Sequence, residues 1–306
     1  MEFELEEDVV LKVLDTSLFH IKWRLKPAAM RRLQIDILAL CTGMRPVIMV
    51  DYGGKMPELQ EHLCELVKFC QKESPIFEQL KVMVIEDMIY LIHVRGLAEH
   101  VNSSLNSETQ ILFVDLEQDP PKMIAQAEHS SVGVELQLVM KLFALAFPID
   151  GRNKDLSSCQ RTDYLASVAS SVDGPIASPL SEFVDVSNYL EKSQVTIPTL
   201  NGWLLGYPVV YLFSKEHIAD AIFNLSTKSL RVFRILVRRN SAFCKGAQQE
   251  ELMSFSVPYD LSMGGSSEPW AEEFLIRLQS KWGKRKQTWR SLEMEVSECY
   301  PQAIVL

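Results

Sequence analysis

Two short runs constrain this chain more than any other feature. Val47-Ile48-Met49-Val50 ends in Asp51, and Ile111-Leu112-Phe113-Val114 ends in Asp115. Four consecutive apolar residues bounded by turn formers read as strands buried on both faces, since a half-exposed strand would alternate. Around them lie segments with the helical repeat. Val9, Val13, Leu14, Leu18 and Ile21 make one stripe. Met30, Leu33, Ile37, Leu38 and Cys41 make a second after Pro27, with Gly43 as its stop. Leu59, Leu63, Leu66, Val67 and Cys70 make a third after Pro57. A proline at the first helical position gives up no hydrogen bond, and glycine is favoured just past the last turn. Buried strands alternating with amphipathic helices require a sheet covered on both sides. Residues 80–85 and 89–94 flank Glu86-Asp87 as a hairpin without the usual glycine, so the sheet is not purely parallel. The prediction is an α/β fold of three layers, with one central mixed, largely parallel sheet and helices on both faces.

Residues 1–150 form the first half, closed by a long helix from Pro120-Pro121 to about Phe147, with Gly133 a weak point. Residues 151–198 read as a Ser-rich connection with a short helix around Thr162–Ser170. A loop of that length inside a compact domain is uncommon. Residues 199–306 form a second half completing the same sheet. There, 203–213 reads as two strands around Gly206-Tyr207-Pro208, and 230–237 and 255–257 read as strands. Residues 215–224, 268–282 and 287–296 read as helices.

Composition excludes several classes. The 306 residues are 47% hydrophobic and 23% charged, which fits a globular chain. The net charge of −9 disfavours non-specific nucleic-acid binding. The most apolar stretch, 132–147, carries Glu135, Gln137 and Lys141 and is too short and polar to span a bilayer. Six cysteines without a C-x-x-C pair read as free thiols in a reducing compartment, the cytoplasm or nucleus. The acidic N-terminus resembles neither a secretory signal nor a transit peptide. No P-loop, nucleophile elbow, H-E-x-x-H or kinase signature occurs among the glycines, serines and six histidines.

The remaining candidates are few. Asp51 and Asp115 follow predicted buried strands, where open α/β sheets bind ligands. Two carboxylates there could hold Mg²⁺ for phosphate chemistry, with Glu86 and Asp87 joining if their turn shares that edge. Lys55 in Asp51-Tyr52-Gly53-Gly54-Lys55, and Arg152, would supply positive charge to a phosphate. The plainer reading is that both Asp residues cap their own turns. Trp282, Lys284, Arg285, Lys286 and Trp289 form a basic, aromatic-interleaved stretch suited to a protein partner. Its plainer reading is a solvated helix pair with docked Trp side chains. Gly202-Trp203-Leu204-Leu205-Gly206-Tyr207-Pro208 offers either pocket aromatics or a kinked hairpin.

The segments Gly43-Met44-Arg45-Pro46-Val47-Ile48-Met49-Val50-Asp51-Tyr52-Gly53 and Gly202-Trp203-Leu204-Leu205-Gly206-Tyr207-Pro208-Val209-Val210-Tyr211 resemble an animal family of unknown function, uncharacterised protein family 0739. The resemblance covers most of the chain and implies an intracellular animal protein. It carries no activity and no functional residues.

Two functions stand against each other on this reading. The first is a non-catalytic module working through protein contacts, which expects an exposed apolar patch and no polar pocket at the strand ends. The second is a divalent-cation-dependent enzyme acting on a phosphate-containing or nucleotide-like small molecule. It expects Asp51 and Asp115 to face one cleft.

Overall fold

The structure is a computed structural model, and it describes residues 7–149, 183–240 and 249–304. Helices α1 (Glu7–Ile21), α2 (Pro27–Cys41) and α3 (Glu58–Glu73) follow the three apolar stripes. Pro27 stands in the first turn of α2. At its other end the Thr42 hydroxyl donates to the Leu38 carbonyl at 2.6 Å. Gly43 leaves the helix at φ 70, the left-handed region that glycine enters without strain.

Strands β1 (Val47–Met49), β2 (Leu80–Ile85) and β3 (Met88–His93) form a sheet with β6 (Phe183–Asp185), in the order β1-β3-β2-β6. Its buried residues alternate between two cores. Ile48, Val82, Ile89 and Leu91 pack with α1, α2 and α3. Val47, Met83, Tyr90 and Ile92 pack with α4 (Val94–Leu105) and α5 (Ser131–Ala146). Burial on both faces is what the continuous apolar runs required. The hairpin turn is Glu86-Asp87, with Ile85 opposite Met88. Glu86 adopts φ 55 without being glycine, and its N–H is held by the Ser187 Oγ at 2.7 Å.

The expected single, largely parallel sheet is corrected. A second sheet runs β5 (Lys122–Ile124), β4 (Leu112–Asp115), β7 (Val209–Leu212). A third runs β10 (Trp289–Cys299), β8 (Leu230–Arg239), β9 (Glu250–Pro258) and is wholly antiparallel. Only β2–β6 and β4–β7 are parallel pairs among the described strands.

Three local readings also change. Residues 287–296 form most of β10, not a helix. Glu295 and Glu298, good helix formers, stand opposite Arg234 and Arg231 of β8, and the cross-strand pairing overrides propensity. Residues 203–213 begin as helix: α6 (Ile197–Leu204) starts at Thr196, whose Oγ1 accepts the Thr199 N–H at 3.4 Å. Gly202 lets α6 lie against Val210, where a Cβ would come within 3.2 Å of that side chain. Residues after Pro120-Pro121 form β5, and α5 starts only after Ser130. Gly133 there is required rather than weak, because a Cβ would collide with the Ala127 carbonyl. Helices α7 (Ile218–Ser226) and α8 (Pro269–Gly283) complete the described α-helices. The proposed helix at 162–170 lies outside the described residues. No described helix is long and apolar enough to cross a membrane.

Candidate functional site

The most elaborate charge arrangement starts on α2. Arg32 and Asp36 stand one turn apart and face inward. The Arg32 Nε donates to Asp36 Oδ2 at 3.1 Å, while Nη2 lies 3.1 Å from Oδ1. The turn after β1 brings Tyr52, whose hydroxyl donates to the same Oδ2 at 2.7 Å. Arg32 Nη1 reaches β9 and donates to the Glu251 carbonyl at 2.7 Å. Asp36 is 0% exposed. Burial raises its pKa, and Arg32 and then Arg45 pull it back down. A buried carboxylate persists where fork-shaped guanidinium and hydroxyl donors replace water.

Arg45 sits beside this cluster, in the loop between α2 and β1, and is 4% exposed. Its Nη1 donates to the Leu252 carbonyl at 3.1 Å, while Nε is buried without an acceptor. A guanidinium carries five N–H donors, so one protein hydrogen bond leaves it under-satisfied. Burial lowers its pKa, with the nearby Tyr207 and Asp36 opposing.

A cleft of about 650 Å³ opens here, lined by Arg32, Arg45, Asp51, Tyr52, Tyr207 and Glu251. Lys26 and Ala29, at the start of α2, also line it. Burial pushes the Tyr207 phenol pKa up, and Arg45 counters it. Burial likewise raises that of Tyr52, reinforced by Asp36. Both hydroxyls therefore stay protonated and able to donate.

Of the residues singled out in the sequence, Asp51 lies in this cleft at the end of β1. Asp115 stands in a different sheet. Its Oδ1 accepts from the Glu117 N–H at 2.9 Å and its Oδ2 from Gln118 Nε2 at 2.8 Å, so it caps its own turn. The Glu86-Asp87 turn does share the edge of Asp51, since Met49 pairs with Tyr90 and β3 begins at Met88. Yet no three His, Cys, Asp or Glu gather as a metal-ligand set among the described residues. Lys55 is exposed and does not line the cleft. Arg152 lies outside the described residues. In the basic stretch, Trp289 is 0% exposed and donates from Nε1 to the Thr42 Oγ1 at 3.2 Å. Trp282 Nε1 donates to the Trp289 carbonyl at 2.9 Å, and Arg285 Nε to the Thr42 carbonyl at 3.0 Å. Trp289 and Arg285 fasten the α8–β10 turn to the end of α2 and Trp282 braces the turn itself, leaving Lys284 and Lys286 exposed. In Gly202–Pro208, Trp203 is core, and Tyr207 is the member that reaches the cleft.

Sequence reasoning missed Arg32, Asp36 and Arg45. The available signal was Asp36 itself, a charge set between Ile35 and Ile37 in an otherwise apolar run.

Helices and mixed sheets around a polar cleft define an α/β protein. Residues 15–306 match a family described as a domain of unknown function (DUF4504), and the chain belongs to that family. No curated protein and no solved structure matches it.

Proposed function

We propose that this protein captures a phosphate-containing or nucleotide-sized small molecule in the cleft at the carboxyl end of β1. The observation that carries this reading is Arg45. A buried guanidinium costs several kcal/mol in lost hydration unless its donors are met, roughly as for any ion taken from water. Here a single carbonyl meets it, and the residue lines the cleft. The volume lies within the range of about 300–1,000 Å³ usual for small-molecule sites. An anionic group of the ligand would supply the missing acceptors, with Tyr207 as a neighbouring donor.

The protein-contact reading expected no polar pocket at the strand ends, and it placed its partner on Trp residues that pack inward. The cation-dependent reading keeps its ligand class. Its metal pair does not gain support, because Asp115 is engaged by its own turn. What supports the present reading is capture and orientation by Arg45 and Tyr207, and it assigns no catalytic step.

Thermal unfolding of the purified chain against nucleotides and phosphorylated metabolites, with and without Mg²⁺, tests this. A ligand binding only the native state stabilises it by about 2.7 kcal/mol at a hundredfold excess over Kd. Ala29→Leu narrows the cleft while keeping a strong helix former. The expected result is a shift in the wild type that Ala29→Leu abolishes. No shift across the panel, or equal shifts in both proteins, contradicts the proposal.

A further inference from the structure

Arg45 also lines a second, smaller cavity of about 110 Å³, walled by His100, Tyr207, Arg277 and Lys281 and by no carboxylate. At about 30 Å³ per water it holds three or four molecules, room enough for one tetrahedral anion. Helix α8 supplies Arg277 and Lys281 one turn apart. Like charges at that spacing destabilise a helix. Neither makes an ion pair within the described residues, and the buried Arg277 Nη1 has no acceptor. The Arg277 guanidinium lies 5.9 Å from the centre of the Phe274 ring. Burial lowers the pKa of both cations, with Glu273 opposing at Arg277; for Lys281 the Arg277 charge adds to the lowering, and Glu99 opposes it.

His100 is different. Its Nε2 lies 2.9 Å from the Trp203 carbonyl, and burial pushes its pKa down to about 4, so it stays neutral. The adjoining recess, about 550 Å³, adds His93, Arg95 and Arg285. Its one acid is Glu99, held by Arg95 at 3.0 Å. In a chain of net charge −9 this convergence of cations is the reverse of the overall composition.

We propose that the small cavity is an anion site for one phosphoryl group, held by Arg45, Arg277 and Lys281 with the Tyr207 hydroxyl as a further donor. It deepens the cleft reading, since Arg45, Leu205, Tyr207 and Met253 line both spaces. The phosphoryl group is either free phosphate or the end of a monoester whose organic part lies in the cleft.

Isothermal titration calorimetry of the full chain with inorganic phosphate, adenosine monophosphate and adenosine tests the site. Phosphate is expected to bind. Lys281→Gln and Arg277→Gln should each weaken it about tenfold while circular dichroism and melting stay close to those of the wild type, because Lys281 is exposed and Arg277 only half-buried. Monophosphate binding tighter than phosphate, with adenosine inert, identifies the monoester. Equal affinities identify the free ion, and both results uphold the site. Ala29→Leu should leave phosphate affinity unchanged. If it also leaves monophosphate affinity unchanged, the cleft reading fails while the phosphoryl site stands. Absence of phosphate and monophosphate binding at millimolar concentration overturns the proposal, as does unchanged affinity in both α8 variants.

Discussion

On the α2 side of Arg45, Asp36 receives Arg32 through two nitrogens and Tyr52 through its hydroxyl, and Arg32 uses its third nitrogen on the Glu251 carbonyl. On the α8 side, Arg277 and Lys281 face a cavity with no acid in its wall. Each cluster sets two ionisable side chains at (i, i+4) on one helix, Arg32 with Asp36 in the first and Arg277 with Lys281 in the second. The first has its charges matched and ties α2 to the β1 turn and to β9. The second has Glu273 and Glu99 acting on it only without contact, and it keeps its donors open. Matched charge reads as structure, and unmatched charge in a cavity wall reads as a place for a ligand.

The largest expected effect comes from breaking the matched cluster. Asp36→Ala would leave the Tyr52 hydroxyl and the Nε and Nη2 of Arg32 without their acceptor and should cost about 3–5 kcal/mol in urea unfolding. A loss under about 1 kcal/mol, the worth of an exposed pair, would mean the cluster does not hold α2 in place.

Glu7 is an intermediate case, a buried carboxylate 3.7 Å from Arg239. Burial raises its pKa from 4.5 to about 7, against the pull of Arg239. A carboxyl with a raised folded pKa contributes stability that is complete below 4.5 and is lost as pH rises through 7. Glu7→Gln should therefore gain on the wild type between about pH 4 and pH 8, by up to roughly 3 kcal/mol. Parallel stability profiles for the two proteins would show that Arg239 fully compensates the charge.

Tyr52→Phe removes one hydrogen bond to a charged acceptor and should cost about 1.5–2 kcal/mol in the same unfolding assay, with Asp36 still held by Arg32. The smallest effect belongs to the unmatched side. Lys281→Gln should change stability by no more than about 0.5 kcal/mol, in the direction of gain, because it relieves repulsion from Arg277. A loss above about 1 kcal/mol would mean that Lys281 has a structural role, and the contrast between the clusters would dissolve.

The helices α1 to α3 and the strands β1 and β4 were legible because burial on one stripe, or on both faces, leaves a periodic trace. The number of sheets was not, since which strands pair is a long-range matter that no local pattern encodes. Residues 289–299 illustrate this: their Glu residues favour helix until the Arg residues of β8 are placed opposite. An apolar run such as Trp203-Leu204-Leu205 does not by itself distinguish helix from strand. Asp51 was legible at the site, because a charge just after a buried strand is conspicuous. Arg32 and Asp36 were not, because an Arg–Asp pair at (i, i+4) ordinarily marks a solvent-facing stripe. Lys281 was not legible either, because its place beside Arg277 and in the same cavity wall as Arg45 depends on how α8 packs.

The most direct test of the contrast is a crystal structure of the protein grown with saturating inorganic phosphate. A tetrahedral ion is expected in the small cavity, with nitrogens of Arg45, Arg277 and Lys281 at about 2.7–3.2 Å from its oxygens. A cavity without the ion, with Arg277 and Lys281 turned to solvent, would contradict the proposed site.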